Sequence, residues 1–246
     1  MTTALRVLDH LGTVDEAGVS ELSRDLGITT GTAHRSVTTL QAQGFVEQNS
    51  STRKYRLTVK IVALADSVRS RLSIADLAHE RIAALAERSG ETSNLAMLKD
   101  GEVVYVDKVA SEAMIGIEVR VGSRVPAYCT ALGKAILAFT PESEVTRYLD
   151  AATFERYTPT TARSGTALRR KLELIRKCGY ALDEGELLSD IFCCAAPILD
   201  AHGKAVAAVS ISAPRSRFVS NRRQFISLVR VAARHLSSAL PPTLWD

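Results

Sequence analysis

The 246-residue chain carries 31 Lys+Arg against 27 Asp+Glu, a formal net charge of +4, with 46% hydrophobic and 24% charged residues. These proportions exclude disordered, collagen-like and coiled-coil rod classes and leave room for two compact domains. No stretch approaches the roughly 18 to 20 uninterrupted apolar residues of a bilayer span, and Asp9 and His10 stand where a signal peptide is apolar, so a cytoplasmic protein with no membrane partner is expected.

In chain order, Leu5, Leu8 and Leu11 mark a first helix, and Val19, Leu22 and Leu26 a second, with Ser20 near its start and Gly27 just past its end. Thr29 is placed to cap a third helix running through Val37, Leu40 and Ala42 to Gly44. FVEQ and KYRLT then alternate around the turn Asn49-Ser50-Ser51-Thr52. Three helices and a small antiparallel hairpin make a winged helix-turn-helix over residues 1–57. Ile61, Leu64, Ala65, Val68 and Leu72 recur at helical spacing, which predicts a linker helix over 58–72.

Ser73 with Asp76 resembles a capping box opening a helix through Leu77, Ile82 and Leu85 to Gly90. Thr92 to Leu98 and Glu102 to Val109 flank the turn Lys99-Asp100-Gly101, a hairpin signal, and Met114 to Val121 reads as a third strand. Helices are expected near Ala131 to Phe139, Glu142 to Leu149 and Thr166 to Cys178. Strands follow at Tyr180 to Leu182, Phe192 to Leu199 and Ala205 to Ser212, and a last helix from about Ser220. Hairpins interleaved irregularly with helices predict an α+β domain over 73–246 with a mainly antiparallel sheet.

The charge is unevenly spread. No acid occurs between Glu47 and Asp66, whereas Arg53, Lys54, Arg56 and Lys60 do, so a basic patch sits in the hairpin. A second acid-free stretch, Lys204 to Trp245, holds six arginines from Arg215 to Arg234. It reads as the solvated face of the last helix, because Phe225, Leu228, Val229, Ala232 and Leu236 recur opposite.

Catalytic motifs are missing: there is no GxSxG elbow, GxxxxGK[ST] phosphate loop, GxGxxG turn or HExxH helix. Gly133-Lys134 resembles a phosphate-loop fragment, but Ala135 follows it and the earlier glycine is missing. Cys129, Cys178, Cys193 and Cys194 form no CxxC pair and the five histidines are scattered, so neither metal, cofactor nor enzyme activity is expected.

The third helix is more informative. Thr29, Thr30, Thr32, His34 and Arg35 cluster at its N-terminal end, where amides and short hydroxyls can meet phosphates and an arginine can fork onto guanine. Arg53, Lys54 and Arg56 of the wing would hold backbone phosphates. Capping, polarity and a basic hairpin coincide in the order that double-stranded DNA binding requires. A small protein-interaction domain is the alternative.

The segments GVSELSRDLGITTGTAHRSVTTLQAQGFVEQ and RKYRLT, and then TALGKAILA, GYALDEGE and CCAAPILDAHGKAVAAVSISAP, resemble the IclR family of bacterial transcriptional regulators over essentially the whole chain. Two departures stand out: Thr29, Thr30 and Gly31 replace the Pro-Lys-Ser that commonly opens the recognition helix, and Asp190 replaces a usual Gly. The resemblance implies a GAF-like effector domain that binds a small organic carboxylate above its sheet. It also implies a homodimer or homotetramer acting on an operator, more often as a repressor.

Carried over by position, the amides of Ala131 and Leu132 would meet the carboxylate, and Asp183, Cys193, Ser210 and Ser212 would supply side-chain contacts. The residues agree independently: a helix N-terminus presents unpaired N–H groups, and Ser210 and Ser212, two apart on one strand, share a face. Met114, Ile117, Val125 and Ile191 are candidate apolar walls. Duller readings remain: tightly packed strand serines, a turn aspartate and an inert core cysteine. The rival function is a cysteine-based redox sensor or enzyme using Cys193 and Cys194, which needs an exposed low-pKa thiolate.

Overall fold

The computed structural model describes residues 2–69, 73–111 and 119–239, without the side chains of residue 2, 65–69 and 73–77. The chain divides into two compact units, Met1–Leu72 and Ser73–Asp246.

In the first unit, α1 (Thr2–Leu11), α2 (Val19–Leu26) and α3 (Thr30–Ala42) are followed by β1 (Val46–Gln48), β2 (Tyr55–Leu57) and α4 (Lys60–Arg69). Glu21 accepts from the Gly18 N–H at the start of α2, and Thr29 accepts from the Thr32 N–H at the start of α3. Each bond satisfies an amide that a helix start leaves orphaned. Val7, Leu11, Leu22, Ala33, Val37, Leu40, Val46 and Tyr55 close one core. The expected stripe of α1 is shifted: Val7 takes the buried place and Leu5 is 55% exposed, because the face that meets α3 runs through Val7 and Leu11. β1 and β2 pair antiparallel as Val46↔Leu57, Glu47↔Arg56 and Gln48↔Tyr55.

The second unit begins with α5 (Ser73–Ser89), β3 (Thr92–Lys99) and β4 (Glu102–Val109). Asp100 and Gly101 both have positive φ, the conformation a two-residue hairpin turn of this kind demands. The expected strand from Met114 falls mostly outside the described residues, as do Met114, Ile117 and Leu72. Its described end, Val119–Val121, is not a strand, and pairing resumes in the unforeseen β5 (Arg124–Pro126), three residues long. A single-turn 3-10 helix (Ala127–Cys129) leads to α6 (Ala131–Ala138), α7 (Glu142–Ala151) and α8 (Gly165–Cys178). Then come β6 (Ala181–Glu184), β7 (Ile191–Leu199), β8 (Ala205–Pro214) and α9 (Arg215–Ala239), which starts five residues before its expected point.

All six strands join one antiparallel sheet in the order β5-β4-β3-β8-β7-β6. Alternation along each strand splits the core in two. Leu95, Cys194, Ala196, Val209 and Ile211 face α5 and α9, whereas Ala96, Ala195 and Ala208 face α6, α7 and α8. Phe225, Leu228, Val229 and Leu236 of α9 are buried, as its spacing predicted. Its arginines are not all merely solvated: the Arg217 guanidinium grips the buried Glu91 carboxylate (Nη2–Oε2 2.9 Å), and Arg222 pairs with Glu184.

Candidate functional site

In the first unit, α3 presents Thr29, Thr30, His34 and Arg35 to solvent with Thr32 half-buried, while Ala33, Ser36, Val37 and Leu40 turn inward. Thr38 and Thr39 share the exposed face, and each donates its hydroxyl to a carbonyl four residues back, at His34 and Arg35. Among the described residues the Arg35 guanidinium meets only the Thr32 hydroxyl, at 3.5 Å, which leaves most of its N–H groups to a partner.

The wing differs from its sequence. Lys54 is held by Glu21 (2.9 Å), Arg56 by Glu47 across the hairpin (2.7 Å), and Lys60 by the Gln43 carbonyl and the Phe45 ring. A stretch without acids in sequence is therefore furnished with them by the fold. Lys54 and Arg56 can reach phosphate only by exchanging one anion for another. Arg53 alone of the three wing cations has no side-chain partner among the described residues, and it stands at the turn with φ 60.

In the second unit, the sheet face beneath α6 forms a narrow pocket with a cavity volume of about 50 Å³. Its floor is two adjacent cross-strand rows of one face. Thr92, Ser212, Cys193 and Asp183 are successive register partners across β3, β8, β7 and β6, and Lys108, Asn94, Ser210 and Ala195 across β4, β3, β8 and β7. All six residues carried over by resemblance, Ala131, Leu132, Asp183, Cys193, Ser210 and Ser212, line this one space. Sequence reasoning missed Thr92, Asn94, Tyr105, Lys108 and Thr130. The polar run Thr92-Ser93-Asn94 opening a strand that is apolar from Leu95 to Leu98 was the available signal for two of them. Ile191 is in the wall, but Val125 is not: β5 turns it into the core beside the 3-10 turn instead.

The hydrogen bonds are directional. Asn94 Nδ2 donates to both Ser210 Oγ and Ser212 Oγ at 3.2 Å, and Cys193 Sγ donates to Ser212 Oγ at 3.2 Å. Thr130 caps α6 by accepting from the Gly133 N–H, which leaves the amides of Ala131 and Leu132 at the pocket. At the far end Lys108 Nζ donates to the Val119 carbonyl (3.0 Å). Desolvation pushes the Asp183 carboxyl up to about 6, opposed by the Lys134 charge and by the Glu186 N–H that Asp183 accepts (2.6 Å).

Behind this wall, Lys134 and Glu186 form a fully buried ion pair that the half-exposed Lys171 joins at 2.9 Å; Glu186 Oε2 has no hydrogen-bond partner among the described residues. The Gly133-Lys134 pair is thus part of a structural ion pair.

Thiolate chemistry requires a depressed pKa, and both thiols are shifted the other way. Burial, reinforced by the Asp183 charge, raises Cys193 well above its ordinary range, and burial pushes Cys194 up to about 12. Cys194 faces the opposite core. No cluster of potential metal ligands occurs among the described residues, and no described helix is long and apolar enough to cross a membrane.

Comparison with known proteins agrees with this architecture. The IclR helix-turn-helix domain model matches residues 3–50, and that of the bacterial transcriptional regulator IclR C-terminal domain matches residues 66–238. The chain is 32% identical over 235 residues to the HTH-type transcriptional regulator KdgR of Escherichia coli K12, covering 95% of this chain and 89% of that one. It is 31% identical over 243 residues to the transcriptional repressor IclR of the same organism, covering 97% and 89%. The crystal structure of Thermotoga maritima IclR superposes with a TM-score of 0.80 at 32% identity, covering 96% of this chain and 98% of that one. A winged helix-turn-helix joined to a pocketed antiparallel-sheet domain, matched along nearly its whole length, places this chain in the IclR family of bacterial transcriptional regulators.

Proposed function

We propose that the protein is a ligand-responsive repressor of a catabolic operon, binding operator DNA through residues 1–57 and a small organic carboxylate in the pocket of residues 73–246. The observation that carries this reading is the pocket floor. Two serine hydroxyls and the helix-start amides of Ala131 and Leu132 converge on this one space, a donor set suited to an anion. Ala131 and Leu132 meet the carboxylate by backbone N–H, Ser210 and Ser212 by hydroxyl, and Asp183 and Cys193 complete the rim. Thr29, Thr30, Thr32, His34 and Arg35 read and grip the operator, with Arg53 as the free cation of the wing and Lys54 and Arg56 as secondary, already paired ones. The protein acts in the cytoplasm as a homodimer or homotetramer. Val59 and Val62, 84% and 58% exposed at the start of the linker helix over 58–72, are apolar surface that a second copy covers. The ligand shifts operator affinity only by its differential affinity for the two states, so the decisive experiment titrates operator with protein while a carboxylate panel is varied. A panel that binds without changing operator affinity overturns the coupling.

Two outcomes are expected. Arg35→Ala lowers the preference for operator over random duplex by about 1–3 kcal/mol, read by fluorescence anisotropy at fixed salt, with the helical content of the protein unchanged. Undiminished discrimination removes Arg35 as a base reader. Ser210→Ala with Ser212→Ala abolishes ligand-induced thermal stabilisation, which in the wild type is about 2.7 kcal/mol at a hundredfold excess over Kd. A wild-type thermal response from the double variant places the pocket elsewhere.

A further inference from the structure

The two pocket serines each carry one O–H donor and two acceptor lone pairs, and which role faces the ligand depends on what already occupies the lone pairs. Beside them on the pocket floor is Asn94, 3% exposed, on the strand directly paired to theirs. Its amide nitrogen has two hydrogens and two acceptors at 3.2 Å, Ser210 Oγ and Ser212 Oγ; Cys193 supplies a further S–H to Ser212. Both lone pairs of Ser212 and one of Ser210 are thus engaged within the protein, and each hydroxyl retains its own hydrogen. We propose that Asn94 is a specificity-determining positioning residue, whose amide turns both serine hydroxyls into donors aimed at the ligand and so selects an acceptor-only head group, a carboxylate, over a carboxamide of the same shape. A carboxylate accepts at both oxygens, whereas a carboxamide brings an N–H₂ for which Ser212 has no lone pair left and Ser210 only one, so buried hydrogens stay unpaired. The inference rests on the effector reading of this pocket and on the Asn94 bonds to the serines, not on a contact between Asn94 and the ligand.

The test uses the full-length protein and two probe pairs, pyruvate with pyruvamide and benzoate with benzamide, with affinity read by calorimetry or thermal shift. The wild type binds the acid of at least one pair at least about tenfold more tightly than its amide. In Asn94→Leu, of similar volume and without a donor, Ser210 loses its bond and Ser212 keeps only the one from Cys193, so each regains a lone pair for an N–H and the acid-to-amide ratio falls about tenfold, toward unity. Loss of packing alone weakens acid and amide together and leaves the ratio standing, so an unchanged ratio overturns the proposal. If Asn94→Leu does not fold, Asn94→Ser, with one donor for two hydroxyls, is read by the same ratio. A wild type indifferent to both acids overturns the effector reading and this inference with it. A wild type that responds, with a variant whose ratio holds, overturns the role of Asn94 alone.

Discussion

Gly133→Ala is expected to destabilise the second unit by at least about 3 kcal/mol and to abolish its response to any pocket ligand. In most helix interiors this exchange stabilises, by up to about 1 kcal/mol, because alanine loses less conformational freedom on folding. Here the sign reverses. A Cβ at position 133 would lie within 3.0 Å of the oxygen, Cα and carbonyl carbon of Ala127, all backbone atoms of the 3-10 turn that precedes α6. No side-chain rotation relieves such a contact, so the helix must lift away from the turn, beyond the usual cost of overpacking. The Thr130 cap on the Gly133 N–H breaks with it. Thermal denaturation followed by circular dichroism, with and without carboxylate, measures both effects. A variant as stable as the parent would show that the turn yields freely.

Lys134→Met is the second large effect, a loss of about 3–5 kcal/mol in chemical denaturation. Lys134 and Glu186 are 1% and 4% exposed, and removing the lysine leaves a buried carboxylate served only by the half-exposed Lys171. The loss comes chiefly from stranding Glu186, so the double variant Lys134→Met with Glu186→Leu recovers most of it. A double variant no more stable than Lys134→Met would mean that the pair holds α6 by attraction, and that stranding a charge is the lesser part. The same series separates stability from ligand selection, because neither side chain lines the pocket.

These two residues show what a sequence conveys and what it withholds. The three helices of the first unit are legible because their signals are local: the Thr29 cap is three residues from the amide it satisfies, and the glycines mark the ends. The serine pair on β8 is legible because a strand alternates. Lys134 is not, because its partner lies 52 residues away, and a buried lysine has no mark in one dimension. Asn94 is hidden likewise, 116 residues from Ser210. The wing misleads for the same reason: it is free of acids along the chain, but Glu21, 33 residues before Lys54, is folded against it. β5 escaped notice because three residues cannot display a period.

The pocket rows join β3 to β8, so Asn94 bonds a serine 118 residues later, and no earlier part of the chain can supply that floor. β8 follows every other strand of the sheet in sequence. A nascent chain therefore has no site to offer until its last strand has left the ribosome and paired with the first strand of the sheet, a closure of high sequence separation and slow formation. Under the proposed function, an effector can reach only a finished second unit, whereas the first unit, complete within the first 72 residues, can fold while the rest is still being made. On that reading, newly synthesised chains pass through an interval in which the helix-turn-helix unit is complete and the effector has nothing to hold.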